Sequence, residues 1–248
     1  KKTTVPALLA ISYNDKGEVN HVQVTRLERD NPVKDMKSSI LKQTYGSING
    51  LGVELNRNHK SKTTYLTEGV ETGLSILDVK KDARVVTVLG KSNFNNIDLT
   101  RFGKDICFCL DNDGDKTFAN KDINNAINKA SDSGKNITII IPKKTDTDLN
   151  DVLLNEGGSS LSSTLKATIT VKEYNQRVIN SNLNIAMSDN KSMVKAAVRS
   201  ENNLKYQVGS KPFEPALANK LSKEIAKNYQ NKIELNTTSK GIEREREL

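Results

Sequence analysis

The sequence predicts an α/β protein whose core is a parallel β-sheet covered by helices. Between residues 63 and 155, short apolar runs alternate with stretches in which apolar residues recur at helical spacing, which is the pattern of strand and helix units in such folds. Acidic residues follow several of these runs directly. Since open α/β sheets bind ligands outside the carboxyl ends of their strands, we expect an active site at that edge.

Composition favours a globular protein with a polyanionic partner. The 248 residues suffice for one sizeable core and a second small unit. Hydrophobic residues make up 35%, aromatic residues only 4%, and Trp is absent, so we expect some polar segments that do not pack. The net charge of +8 favours association with a polyanion such as nucleic acid.

No apolar run approaches the roughly 18 residues that a membrane span needs, and no apolar leader follows Lys1. We therefore expect a piece of a longer protein, without a signal peptide, that acts in the cytoplasm.

Cys107 and Cys109 alternate within one apolar run. Their spacing suits neither a redox pair nor a zinc knuckle, which predicts two core residues.

Residues 1–60 are interpreted as a small β-rich flank. Residues 5–13 and 18–27 predict two strands joined by a hairpin turn at residues 14–17. The glycine-punctuated residues 45–55 predict a further strand pair, and residues 34–42 a charged linker.

Residues 61–157 predict the α/β domain itself. Its strands are expected at residues 64–67, 85–89, 106–110 and 137–141, the last ended by Pro142. Helices are expected at residues 70–77, at residues 118–130 and from residue 152, and Gly134 is expected to end the second of them. A linker or irregular segment is expected at residues 158–212. Residues 213–248 predict an amphipathic helix and a charged tail.

Asp111 and Asp113 lie two residues apart directly after a predicted strand, so both carboxylates can point the same way, and Asp115 follows in the same turn. Carboxylates held together need a cation, and Mg²⁺ typically binds through one or two of them. Two other interpretations stay open, a solvated turn and a calcium loop of the EF-hand type. Against the second, Gly114 occupies position four of the loop and Lys116 position six.

Glu68 and Gly69 come between a predicted strand and a predicted helix, a motif that also suits an acid stabilised by the helix dipole. Together with the strand ending in Asp111 and Asp113 about forty residues later, however, the arrangement resembles the toprim domain over roughly residues 63–155. Toprim domains occur in bacterial-type primases, topoisomerases and small nucleases that act on phosphodiesters with divalent metal.

The resemblance implies a toprim sheet with helices on both faces. It implies that Glu68 acts as general acid/base or metal contact, and that Asp111 and Asp113 bind Mg²⁺ or Mn²⁺. Residues 68–72 and 148–151 are most similar to the primase-like branch in phage, plasmid and conjugative-transfer proteins, which adds Asp148 and Asp151 as metal candidates. The chain departs from the family at Lys116, where many members have glycine. It also has no recognisable zinc module or topoisomerase tyrosine.

Three functions remain as hypotheses. The first is primase-like nucleotidyl transfer on single-stranded DNA with nucleotides as substrates, within a larger plasmid or conjugative replication protein. The second is a metal-dependent nuclease, and the third a non-catalytic nucleic-acid-binding module of a relaxase. Basic residues near predicted strand edges are candidates for contacts with the nucleic-acid backbone; they are Lys91, Arg101, Lys116, Lys143 and Lys144.

Overall fold

The structure, a computed structural model, describes residues 5–29, 41–48, 50–182, 184–185 and 188. The strands in chain order are β1 Ala7–Tyr13, β2 Val19–Arg26, β3 Lys42–Gly46, β4 Val53–Asn56, β5 Thr63–Thr67, β6 Arg84–Thr87, β7 Asp105–Cys109 and β8 Asn136–Ile140. The α-helices are α1 Val70–Val79, α2 Asp115–Ala119, α3 Lys121–Asp132, α4 Leu149–Glu156 and α5 Gly158–Lys166. Short 3₁₀ helices lie at Lys91–Asn96 and Leu99–Arg101.

The strands form two sheets. β1, β2 and β3 make a three-stranded antiparallel sheet, and the other five make a second sheet in the order β4-β6-β5-β7-β8. In the second sheet β6, β5, β7 and β8 are parallel, while β4 pairs antiparallel with β6 at one edge. The predicted α/β fold with a mostly parallel central sheet and a small β-rich flank is therefore confirmed.

Alternation along β7 divides the core between the two faces of the five-stranded sheet. Cys107 and Cys109 belong to a buried cluster that also contains residues of α1, α4 and α5, and both cysteines are free and buried, as predicted. Phe108 points to the other face, where its ring lies 6.0 Å from that of Phe94, and α3 packs against β8. Helices thus cover both faces.

Helix α1 lies very close to the sheet because Gly73 has no side chain. A Cβ at this position would come within 2.5 Å of Leu55 Cδ1 and 3.1 Å of Thr67 Oγ1. The backbone N–H of Gly73 donates to the carbonyl of Gly69, so the close approach occurs in the first turn of the helix. The first turn of α1, which follows Glu68, therefore packs closely against β5.

Three features differ from the sequence-based expectations. The single helix expected at residues 118–130 is two helices, α2 and α3, because the Asn120 side chain caps the start of α3. Residues 45–55 do not form a strand pair: β3 pairs with β2, whereas β4 joins the main sheet beside β6, because the buried Val53 packs there with Val70 of α1. Residues 158–166, which we expected to be linker, form α5, and its Leu161 is fully buried in the core cluster. A Gly/Ser-rich composition fits a helix here because one apolar side chain per turn reaches the core.

The chain divides into two units, Lys1–Tyr174 and Asn175–Leu248. The first contains both sheets and α1 to α5. In the second, the described residues 175–182, 184–185 and 188 are helical. The charged linker at residues 34–42 falls mostly outside the described residues, and the C-terminal amphipathic helix and charged tail at residues 213–248 lie wholly outside them. Within the described residues, no helix combines the length and apolar character that crossing a bilayer requires.

Candidate active site

The carboxyl ends of the parallel strands lie level with one another. Thr67, the last residue of β5, pairs with Thr87 of β6 and with Cys109 of β7, and Cys109 pairs with Ile140 of β8. From β5 the chain continues to β6 on one side, and from β7 to β8 on the other. The two connections leave a crevice between them, which is where α/β sheets bind ligands.

The backbone of Glu68 is held at this crevice by hydroxyl groups from two strands. Thr87 Oγ1 donates to the carbonyl of Glu68 at 3.0 Å, and Thr67 Oγ1 donates to the carbonyl of Gly69, also at 3.0 Å. The N–H of Gly90 adds a second donor to the Glu68 carbonyl at 3.1 Å. The turn between β5 and α1 is therefore fixed, and the Glu68 side chain, 25% exposed, faces the crevice.

The loop from Asp111 to Asp113 is closed by the buried hydroxyl of Thr117. This oxygen accepts from the N–H of Asp113 at 2.7 Å and donates to the carbonyl of Asp111 at 2.8 Å. Between the two acids, Asn112 is tied to the loop that follows β8, because its Nδ2 donates to the carbonyl of Pro142 at 2.7 Å. The loop is thus anchored both to α2 and to its neighbour.

Lys91 lies among the acidic side chains. Its Nζ donates to Asp113 Oδ2 and is 3.7 Å from Glu68 Oε2. Burial lowers the pKa of Lys91, but the hydrogen bond to Asp113 and the negative charges of Glu68, Asp113 and Asp111 outweigh it and leave the pKa above its ordinary value. Lys91 is therefore positively charged at neutral pH and lies inside the acidic cluster. The sequence alone predicted for Lys91 only a contact with nucleic acid.

Asp111 is the most perturbed acid of the crevice. Burial, the charges of Glu68 and Asp148, and a hydrogen bond with Glu68 together raise the pKa of Asp111 to about 7, although Lys91 opposes the shift. Its Oδ1 is buried and has no hydrogen-bond partner. A buried, unpaired carboxylate oxygen is costly, so this position favours a proton or a cation.

Asp148 lies close to the same cluster, in the loop after β8. Asp151 instead takes part in capping the start of α4. Asp148 Oδ1 accepts from the N–H of Asp151, and Asp151 Oδ2 accepts from the N–H of Asp148, a reciprocal cap at the start of α4. The other oxygen of Asp148 accepts from Thr72 Oγ1 of α1 at 3.2 Å. Next to it, Ser75 of α1 donates to Asn150 at 3.0 Å, so α1 and α4 position Asp148 together.

The remaining candidates lie in different places. Asp115 is exposed at the first residue of α2, and Lys116 follows it, also exposed. Lys143 and Lys144 line a separate cavity of about 220 Å³ beside α5. Arg101 precedes β7 and therefore lies at the opposite, amino edge of the sheet. The carboxylates that the structure brings together are those of Glu68, Asp111, Asp113 and Asp148.

Two alternatives from the sequence are excluded by this geometry. An EF-hand needs a helix before its loop, whereas the residues before Asp111 form β7. A turn in which every charge is solvated does not fit either, because Asp111 Oδ1 is buried. The acidic turn therefore contains a buried carboxyl group.

Comparison with known proteins agrees with this geometry. A family model described as a toprim domain matches residues 63–159, from β5 to the start of α5. This segment is a toprim domain. It contains every carboxylate of the cluster, together with Lys91 and the two strands that flank the crevice. The predicted resemblance is thereby confirmed at the level of the domain.

The chain is also similar to solved primase structures at low sequence identity. The primase fragment of the bacteriophage T7 primase-helicase is 17% identical, with a TM-score of 0.47, over 66% of this chain and 65% of that one. A DnaG catalytic core is 11% identical, with a TM-score of 0.48, over 68% and 55%. The E. coli primase catalytic core is 10% identical, with a TM-score of 0.46, over 68% and 54%. The chain thus spans less than two thirds of each structure. No curated protein matches its sequence.

The toprim carboxylates fit a hard divalent cation better than a soft one. All the donors are carboxylate oxygens, which suit Mg²⁺ or Mn²⁺, and the unpartnered Oδ1 of Asp111 offers a free ligand atom. Among the described residues, no three His, Cys, Asp or Glu side chains are placed to hold an ion by themselves. That arrangement is compatible with Mg²⁺, which usually takes one or two carboxylates and completes its octahedron with water or phosphate.

Proposed function

We propose that this chain is a Mg²⁺- or Mn²⁺-dependent toprim module that carries out primase-like nucleotidyl transfer on single-stranded DNA. The observation that carries the proposal is the meeting of Glu68, Asp111 and Asp148 around an unpartnered carboxylate oxygen at the crevice between β5 and β7. Toprim domains generally depend on divalent metal, and carboxylate oxygens like those of this cluster are the ligands that Mg²⁺ prefers.

Asp111 and Asp113 are the residues that would hold the metal ion. They belong to one loop whose ends are tied through Thr117, so both carboxylates are positioned before any ligand arrives. When bound, Mg²⁺ supplies charge stabilisation to the phosphate oxygens of an in-line displacement. Asp148 lies close enough to raise the pKa of Asp111, and it contributes negative charge that favours a cation.

Glu68 is the proposed general acid/base. Its carboxylate lies beside the carboxyl group of Asp111 and 3.7 Å from Lys91 Nζ, where it can take a proton from an attacking hydroxyl group or return one to a leaving group. Lys91 balances part of the negative charge of the cluster. Its ammonium group can also turn to a phosphate of the incoming nucleotide, because Lys91 remains protonated at neutral pH.

The proposed partners are single-stranded DNA, nucleotides and further domains of a longer protein. Several of the structural neighbours are described as primases, and one as a DnaG primase catalytic domain bound to single-stranded DNA. The sequences of residues 68–72 and 148–151 are similar to those of phage and plasmid toprim proteins. This similarity supports a role in plasmid or conjugative DNA processing.

The experiment is a single reaction that contains single-stranded DNA, labelled nucleotides and Mg²⁺ or Mn²⁺, resolved by product length. We expect the wild type to make short new oligonucleotides. Glu68→Gln and Asp111→Asn should each reduce the yield by about 100-fold or more, the usual effect of removing a general acid/base or a metal ligand. Asp82→Asn, which changes an exposed carboxylate outside the crevice, should leave the yield unchanged.

Other products would overturn the proposal in defined ways. If the wild type shortens the DNA and both variants fail to do so, the protein is a nuclease that uses the same carboxylates. If all variants bind DNA equally and none changes it, the domain serves for binding, and the assignment of Glu68 as a catalytic residue is wrong.

A further inference from the structure

A basic cavity lies at the amino edge of the five-stranded sheet, opposite the acidic cluster. Its volume is about 380 Å³. Arg84 is the first residue of β6, Arg57 follows the last residue of the antiparallel β4, and Arg101 precedes β7. All three line the cavity, together with His59 and the turn between β1 and β2. Three segments far apart in sequence thus present guanidinium groups to one space.

Arg84 is held rigidly and has unused hydrogen-bonding capacity. It is only 8% exposed, and its guanidinium carbon lies 5.3 Å from the centre of the Phe102 ring. Its Nη2 donates to Glu54 at 2.9 Å, but its Nε is buried without any partner. Buried polar groups of folded proteins are nearly always paired, so the unpaired Nε is unused donor capacity on a residue that lines the cavity.

Positive charge exceeds negative charge among the side chains that line the cavity. Glu54 forms ion pairs with two arginines. Its Oε1 lies 2.9 Å from Arg84 Nη2, and its Oε2 lies 3.2 Å from Arg57 Nε. Arg101 pairs with Asp15 at 2.5 Å, but the Asp15 side chain is 87% exposed. Exposed ion pairs contribute little because solvent screens them. Asp15 can therefore leave Arg101 when another anion arrives.

We propose that this cavity binds the phosphate groups of a nucleotide-sized ligand through Arg57, Arg84 and Arg101, and that Asp15 gives way to it. Guanidinium groups recognise phosphate through paired N–H donors. The volume lies within the range of about 300–1,000 Å³ that is typical of small-molecule sites, so it exceeds the need of a lone phosphate. The site is independent of the proposed catalytic function, because it lies at the other edge of the sheet.

The test is a binding titration of the full chain by calorimetry in the presence of EDTA, so that metal-bound phosphate at the acidic cluster does not contribute. The probes are a nucleoside triphosphate, pyrophosphate and a short oligothymidylate. We expect the nucleoside triphosphate to bind most tightly. Arg101→Ala and Arg57→Ala should each weaken it by about tenfold, because each removes a charge-assisted hydrogen bond. Asp15→Asn should tighten it a few-fold, because it removes the competing carboxylate.

Two controls separate this site from others. Lys104→Ala removes an exposed positive charge three residues from Arg101 that does not line the cavity, and it should leave the affinity unchanged. Glu68→Gln should also have no effect, so failure of the catalytic proposal does not affect this one. A tighter complex with pyrophosphate or oligothymidylate, with the same response to Arg101→Ala and Asp15→Asn, supports the site and identifies another source of the phosphate.

The proposal is wrong if none of the three probes binds at millimolar concentration. It is equally wrong if binding is the same in Arg101→Ala and Asp15→Asn as in the wild type. The gain expected for Asp15→Asn cannot arise from unfolding, which keeps the test decisive if an arginine variant proves unstable.

Discussion

Asp111 shows how one residue can be destabilising to the fold and useful to the site. Its carboxyl group is buried beside Glu68 and Asp148, and Lys91 offsets part of the repulsion. Ionised without a cation, this group opposes folding. Neutralised by a proton or by a bound metal ion, it does not. Metal binding at this position is therefore expected to stabilise the protein as well as to support its chemistry.

The first prediction concerns the pH dependence of stability without metal. The folded pKa of Asp111 is about 7 against an ordinary 3.8, so the folded state binds the proton more tightly than the unfolded state. The free energy of unfolding should therefore fall as pH rises from about 4 to about 7. Asp111→Asn cannot ionise, so its free energy of unfolding should not fall in this way, and the variant should be more stable than the wild type at pH 8. Since one pKa unit corresponds to about 1.4 kcal/mol, the gain should be a few kcal/mol at most.

Urea unfolding in EDTA at pH 5 and pH 8 measures the difference. Asp82→Asn, an exposed carboxylate, is the control and should change stability little at either pH. An Asp111→Asn variant that is less stable than the wild type at pH 8 would contradict the perturbed pKa.

At the level of secondary-structure elements, one residue at the start of α4, Asp148, both stabilises the helix and contributes charge to the acidic cluster. Asp148 caps the helix with one oxygen and accepts from Thr72 of α1 with the other. It also adds negative charge next to Asp111. The capping role needs an oxygen atom, whereas the electrostatic role needs a charge, and substitutions can separate them.

We predict that Asp148→Asn is as stable as the wild type or more stable in EDTA, because it keeps a capping oxygen and removes repulsion with Asp111. Asp148→Ala removes the oxygen as well and should be about 1 kcal/mol less stable than Asp148→Asn, the usual cost of losing an N-cap. Chemical denaturation at neutral pH compares the two. Equal stability of the two variants would show that the cap contributes nothing.

At the level of the whole molecule, an acidic crevice is set in a chain of net charge +8. The positive charge favours approach of DNA, and the cluster of carboxylates repels phosphate unless a cation is present. DNA binding should therefore be strongly dependent on salt. Lys143 and Lys144, which line the cavity beside α5, follow β8 and are the basic pair nearest in sequence to Asp148.

We predict that the affinity for single-stranded DNA falls roughly 30-fold between about 50 and 250 mM salt, the effect of neutralising about three phosphates. Replacing Lys143 and Lys144 together by Gln should reduce the slope of log affinity against log salt. Replacing the exposed Lys81 and Lys104 together by Gln should not. Fluorescence anisotropy of a labelled oligonucleotide provides the measurement, and an affinity that does not change with salt would rule out phosphate contacts.

Local sequence patterns were sufficient to predict the parallel strands and the acids that follow them. An apolar run defines β7 because burial on both faces leaves little choice of residue. Glu68 follows β5 directly, and Asp111 follows β7 after Leu110. The pairing of β4 with β6 was not predicted, because four residues with Val53 as the one buried position carry no signal of their partner. Helix α5 was missed because its Gly and Ser residues resemble a linker.

The sequence by itself determined the α/β class, the toprim segment and the acids at the carboxyl edge, since these depend on patterns within a few neighbouring residues. The tertiary structure alone decided that Lys91 lies between Glu68 and Asp113, and that Asp148 rather than Asp151 charges the cluster. It also brought Arg57, Arg84 and Arg101 to one cavity. These neighbours meet through strand order and register, which long-range packing sets and local sequence does not encode.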